Sequence, residues 1–138
     1  MPKDPIPGHR RTAQRLEQRW RELCERYLPL AAKDSIWRYH RAYNPQEPTQ
    51  GWKLHVSATV LNACKVLERV APYLIARGVH FKAPRSLAEL MKINSGLYYG
   101  YSQIGKFITI YTRTPAEAVT LARELHRMTR RMAAPAVP

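Results

Sequence analysis

Lys53 and His55 stand two residues apart in Trp52-Lys-Leu-His-Val56, and His80 and Lys82 repeat that spacing in Val79-His-Phe-Lys82. Alternate side chains of an extended strand share a face, so each pair lands on one side of its strand. Lys106, in Gly105-Lys-Phe-Ile-Thr-Ile-Tyr111, opens a third apolar-alternating stretch. Three ammonium groups with one or two imidazoles repel one another, and such a cluster is tolerated when a multiply charged anion sits among them. The plainer reading is a solvated sheet face on which each lysine stands alone, because alternation by itself places polar residues together.

The charge distribution narrows the chemistry. The 138 residues carry 23 Lys and Arg against 10 Asp and Glu, a formal charge of +13. Between residues 51 and 112 the acids are Glu68 and Glu89, and Asp34 is the last aspartate of the chain. A field of this sign favours an anionic partner. Both glutamates fall on predicted helices, which leaves no paired carboxylates for a glycosidase-type hydrolysis and no oxygen-rich site for magnesium or calcium. No Gly-rich phosphate loop, His-Glu-x-x-His or Gly-x-Ser-x-Gly occurs. Cys24 and Cys64 lie far apart with no ligand spacing, as buried small hydrophobes do. No metal or other cofactor is therefore expected. No apolar run approaches the roughly 18 residues of a membrane span, and residues 1–11 lack the apolar stretch of a secretory signal, so a cytoplasmic protein without a membrane partner is expected.

The elements that must position these residues are readable from periodicity. Leu16, Trp20, Leu23 and Tyr27 recur at helical steps through 10–28, before Pro29. Residues 36–50 read as an irregular or edge-strand approach. Residues 51–57 form a strand with Trp52, Leu54 and Val56 on the inward side. Thr59 is the expected cap of a helix to about residue 76, in which Pro72 kinks or shortens the last turn and after which Gly78 supplies the left-handed stop. A second strand covers 79–82. Ser86-Leu-Ala-Glu89 is a capping box for a short helix carrying Leu87, Leu90 and Met91 inward. A Gly- and Tyr-rich loop leads to a third strand over 105–112, and Thr114-Pro-Ala-Glu117 starts the last helix with a cap, a proline at the first helical position and a box glutamate. The expectation is one α+β domain over 1–138, a small sheet flanked by helices in the order α-β-α-β-α-β-α. Residues 1–50 form its lead-in and 51–132 its core. Trp20, Trp37 and Trp52 are expected in that core, His80 at the surface, and His9, His40 and His126 outside any site.

Taken together, Gly51-Trp-Lys-Leu-His-Val-Ser-Ala-Thr59, Val66-Leu67, Ala71-Pro72, Gly78-Val-His-Phe-Lys82, Asn94-Ser95 and Gly105-Lys-Phe-Ile-Thr-Ile-Tyr111 resemble, in order and spacing, the N-terminal lyase region of class III and class IV lanthipeptide synthetases of the RamC type. That region is in turn distantly similar to the phosphothreonine lyases of bacterial effectors. The resemblance runs over roughly 36–132. It implies a partial phosphothreonine-lyase fold and a β-elimination: a kinase phosphorylates Ser or Thr of a precursor peptide, and the lyase expels phosphate to leave a dehydroamino acid. Carried over residue by residue, it implies Lys82 as general base, His55 as general acid, and Lys53 and Lys106 as holders of the phosphate. The implied partners are the phosphorylated precursor peptide and kinase and cyclase domains, fused or separate.

Elementary chemistry agrees with those implied roles. A lysine that removes a peptide α-proton near neutral pH needs burial or nearby cations to lower a reference pKa of about 10.4, and Lys53 and Lys106 are expected to supply that push on Lys82. Phosphate leaves readily only when its charge is offset and its bridging oxygen protonated, a task suited to an imidazolium. Two departures stand out. Tyr101 occupies the position where family members usually carry an arginine, which makes it a candidate substrate contact by its hydroxyl. Further phosphate-gripping arginines of the family follow its last helix, beyond the position matching Pro138, so an incomplete domain is expected. Two other functions stay open. One is a phosphopeptide- or leader-peptide-binding module without turnover. The other is a nucleic-acid binder, ranked last because no groove-reading or stacking motif accompanies the charge.

Overall fold

The computed structural model describes residues 8–31, 33, 35–47 and 51–135. Four helices and five strands follow in the order α1 (Gly8–Tyr27), β1 (Leu30–Ala31), β2 (Trp37–Tyr39), β3 (Lys53–Val56), α2 (Ala63–Ala76), β4 (His80–Pro84), α3 (Leu87–Ser95), β5 (Ile108–Tyr111) and α4 (Pro115–Thr129), with one 3-10 turn at Tyr101–Gln103. The strands form a single sheet in the order β1-β2-β4-β5-β3, every neighbouring pair antiparallel. The α+β expectation holds, with two short strands added ahead of β3. The segment read as an irregular or edge-strand approach contains β2, which is not an edge: β1 pairs outside it, Leu30 with Tyr39 and Ala31 with Arg38. Two residues are too few to show an alternation, so β1 leaves no trace in the sequence pattern.

Alternation along the strands divides the sheet. Val56, Phe81, Ala83, Ile108 and Ile110 are buried against Trp20, Leu23, Leu67, Leu74, Leu121 and Leu125 of the helices. Trp20 anchors this side, fully buried, with its indole N–H donating to the Pro84 carbonyl at 3.1 Å. Emptying such a position, for example by Leu67→Ala, costs about 2–5 kcal/mol. The helices thereby occupy one face of the sheet.

The helix boundaries follow local chemistry. The Ser86 hydroxyl accepts from the Glu89 N–H and the Thr114 hydroxyl from the Glu117 N–H, the two caps expected from sequence. Gly78, at φ +69°, closes α2 while the Val79 N–H bonds back to the Leu74 carbonyl. Helix α2 opens later than expected, with Asn62 at its N-cap position. Thr59 instead closes a turn before it: its backbone N–H and hydroxyl both donate to Asn62 Oδ1, at 2.9 and 3.0 Å. Pro72 lies on the exposed side, and α2 continues to Ala76, the predicted end. Two packing expectations are corrected. Met91 is 60% exposed and Ile93 takes the inward position, because α3 turns its buried stripe through Leu87, Leu90 and Ile93. Trp52 is 63% exposed, since the strand begins one residue later at Lys53.

Candidate functional site

The face of the sheet turned away from the helices carries the residues singled out by spacing. Register places His55, Thr109 and Lys82 directly across from one another on β3, β5 and β4. Lys53, Tyr111 and His80 form the next row, and Tyr39 of β2 stands opposite Lys82. Directly opposed residues share a face, so both rows look the same way. The reason is the plain alternation of β5, in which Ile108 and Ile110 go inward and Thr109 and Tyr111 outward.

Aromatic rings floor the lysines. The Lys82 ammonium lies 4.3 Å from the centroid of the Trp37 ring and 5.8 Å from that of Tyr111, and the Lys53 ammonium lies 5.5 Å from Tyr111. Each such contact is worth about 0.5–1 kcal/mol at an exposed site. Trp37 is thus a half-buried support for Lys82, not a core residue as expected. Lys106 enters from the loop before β5, where Gly105 takes φ +86° and the Lys106 N–H bonds the Gln103 carbonyl at 3.1 Å. A non-glycine residue is strained at that φ, so the turn that delivers Lys106 depends on Gly105.

Among the described residues, the ion pairs to carboxylates are made by Arg19, Arg41, Arg85, Lys92, Arg113 and Arg127. Lys53, Lys82 and Lys106 have none. His55 lies on the same face as Lys53 and Lys82. Burial is the first cause that holds its imidazole below the ordinary histidine range, followed by the positive charges of Lys106, Lys53 and Lys82. His55 Nδ1 sits 3.3 Å from the Thr109 hydroxyl oxygen, which fixes the ring and leaves Nε2 for a ligand. The Lys82 pKa is also lowered, and here burial is the cause, opposed by Tyr39. The expected push of Lys53 and Lys106 on Lys82 is therefore corrected. Burial lowers the Lys82 pKa, while at His55 the three lysine charges add to the effect of burial.

The other candidates make contacts of their own. Tyr101 is 68% exposed on the 3-10 turn, and its ring lies against Gly96: a Cβ on that glycine would stand 2.8 Å from it. The neighbouring Tyr99 hydroxyl donates to buried Glu89 at 2.7 Å and ties the tyrosine loop to α3. His40 is a structural residue, with Nδ1 3.1 Å from the Tyr27 carbonyl and its ring stacked on Phe81. His80 departs from its expected surface position. It is only 6% exposed, covered by Tyr39 at 5.5 Å and Tyr111 at 5.2 Å between ring centroids, and its Nδ1 has no hydrogen-bond partner among the described residues. Strand alternation placed it correctly on the polar face, but the tyrosines that bury it come from β2 and β5. Thr109, Tyr111, Trp37 and Tyr39 are the site residues that motif reading missed. The first two were signalled by the same alternation that exposed Lys53 and His55.

Among the described residues no three His, Cys, Asp or Glu side chains gather into a set that could hold a metal ion. No helix among them is long and apolar enough to cross a membrane. Cys24 and Cys64 are buried free thiols, pushed by burial to about 12 and about 11.

Comparison with known proteins gives a family and a relative. The family model described as RamC, N-terminal domain, matches residues 14–138. A protein of Streptomyces coelicolor described as a probable SapB synthase is 37% identical over 92 residues, covering 67% of this chain. The same stretch covers 10% of that relative's length, so the chain corresponds to a small part of a much longer protein.

Proposed function

Because this chain belongs to the RamC N-terminal domain family, we propose that it serves lanthipeptide biosynthesis by eliminating phosphate from phosphoserine or phosphothreonine in a precursor peptide. The single observation that carries this reading is the lysine-rich open face of the sheet. His55 and Lys82 flank Thr109 in one row and Lys53 stands in the next, and among the described residues no carboxylate pairs with Lys53, Lys82 or Lys106. A phosphate dianion supplies the charge this arrangement lacks.

In the proposed reaction Lys53 and Lys106 hold the phosphate, and neutral Lys82 removes the α-proton. The electron pair of the Cα–H bond becomes the Cα=Cβ double bond as the Cβ–O bond breaks. His55 delivers its proton to the departing bridging oxygen. Inorganic phosphate leaves, and the peptide retains dehydroalanine or dehydrobutyrine. Desolvation of Lys82 favours the neutral amine that a base requires. The depressed His55 pKa is reconciled with its role as acid by the substrate itself, since a bound dianion offsets the lysine charges and restores the imidazolium. The precursor peptide and kinase and cyclase domains, fused or separate, are the proposed partners, with Tyr101 as an outlying substrate contact.

Incubating the chain with a phosphoserine peptide and following the product by mass spectrometry tests this. Loss of phosphoric acid by wild type and not by Lys82→Ala supports elimination. A second reading, a phosphopeptide-binding module without turnover, draws on the imidazole's preference for the neutral form in the free protein. Tight phosphopeptide binding with no dehydrated product at any pH would establish it instead.

A further inference from the structure

Beside the lysine rows a cavity of about 460 Å³ opens between β1, β2 and the 41–43 segment, with Leu30, Tyr39, Arg41, Tyr43, His80 and Tyr111 in its walls. We propose that this cavity seats an apolar side chain of the substrate peptide, two positions from the phosphorylated residue, and so selects which serine or threonine is processed. This rests on the reading of the lysine face as a phosphate site.

Chemistry of the walls sets the class of occupant. Three tyrosine rings and Leu30 line the space, and it is large enough for a leucine or phenylalanine side chain. Its one permanent charge, Arg41, is already engaged: the guanidinium holds Glu47 at 2.6 Å and the Gly78 carbonyl at 3.1 Å. With the phosphate held on the lysines, an acidic side chain meets no cation left unengaged, and a basic one meets the guanidinium of Arg41. A neutral apolar group remains. The cavity is built and held, because Glu47 also lies 4.0 Å from Arg113, which is itself bound to Glu117.

Position follows from the sheet. Tyr111 belongs to both places, since its ring lies below the Lys53 and Lys82 ammonium groups and also lines the cavity. His80 and Lys53 flank it in one row, two strand spacings or about 10 Å apart. An extended peptide advances about 7 Å over two residues and returns its side chain to the same side. Residues two apart thus cover most of that span, and the remaining distance of about 3 Å lies within the reach of a phosphoserine side chain and an apolar one.

The test compares phosphoserine peptides carrying leucine, phenylalanine, glycine or aspartate two residues before or after the phosphoserine, with fluorescence anisotropy as readout. Leucine and phenylalanine at one of the two positions should bind about tenfold tighter than glycine. Tyr43→Ala, which removes a wall residue 59% exposed to solvent, should erase that difference and leave the affinity of the glycine peptide unchanged. Equal binding of all the phosphopeptides, or a preference that survives Tyr43→Ala, overturns the pocket and leaves the phosphate site standing. If phosphopeptides bind no better than their unphosphorylated forms, the phosphate reading itself falls, and this inference with it.

Discussion

Occupying the lysine face with a dianion should return a proton to His55. In the free protein the imidazolium is opposed by burial and by Lys106, Lys53 and Lys82. A unit charge about 4 Å away is worth about 1 kcal/mol in water and about 4 kcal/mol at the effective dielectric of a protein surface. His55 lies on the open face, so the low end applies, and a dianion contributes about 2 kcal/mol. Since 1.36 kcal/mol corresponds to a factor of ten, the protonated fraction should rise about 10- to 30-fold at fixed pH above the midpoint. Sulfate is the right probe, because a phosphate monoester changes its own charge near pH 6, within the histidine range. The assay is an NMR titration of the imidazole resonances with and without sulfate, with exposed His9 and free imidazole in the same sample as controls. The midpoint of His55 should move up while those of the controls stay. By reciprocity, sulfate should bind more tightly as the pH falls through the His55 titration, by the same factor. Lys53→Ala should raise the His55 midpoint in the ion-free protein. A His55 midpoint indifferent to sulfate, or one that moves only in step with the controls, refutes the convergence of these charges.

Acid should destabilise the fold through the same depressed histidines. His80 and His55 are held below their unfolded pKa of about 6.5, so between the two values the unfolded chain binds more protons and stability rises with pH. Thermal midpoints should therefore fall as the pH drops from 7.5 to 5, and His80→Phe should flatten the dependence; an identical slope in that variant contradicts the assignment. Removing either helix cap, by Ser86→Ala or Thr114→Ala, should cost about 1 kcal/mol in urea unfolding, because each hydroxyl accepts an otherwise orphaned N–H.

Local signals carried the fold further than they carried the site. Ser86 with Glu89, Thr114 with Glu117, and Gly78 announce boundaries within a few residues, and the structure keeps all of them. The alternation of Lys53 with Leu54 and of Phe81 with Lys82 likewise fixed which face each strand turns to the core. What stayed hidden was contributed from far along the chain. Strand β1 is defined by its pairing with β2 and not by its own two residues. His80 is buried by rings from β2 and β5. Thr59 and Asn62 cap one another, the Thr59 hydroxyl accepting from the Asn62 N–H at 3.3 Å while Asn62 Oδ1 accepts from Thr59, and α2 begins only after that turn. Spacing also could not say which group the lysine charges would perturb. That depends on Trp37 lying under Lys82 and on Thr109 fixing the His55 ring, both consequences of register across the sheet.

The division of labour among the lysines is the most direct test, and it calls for affinity and dehydration to be measured on one phosphoserine peptide in the same set of variants. Lys53→Ala and Lys106→Ala should weaken phosphopeptide binding, each by about tenfold, whereas Lys82→Ala should bind the peptide and yield no dehydrated product. Dehydration by Lys82→Ala at the wild-type rate would contradict the account.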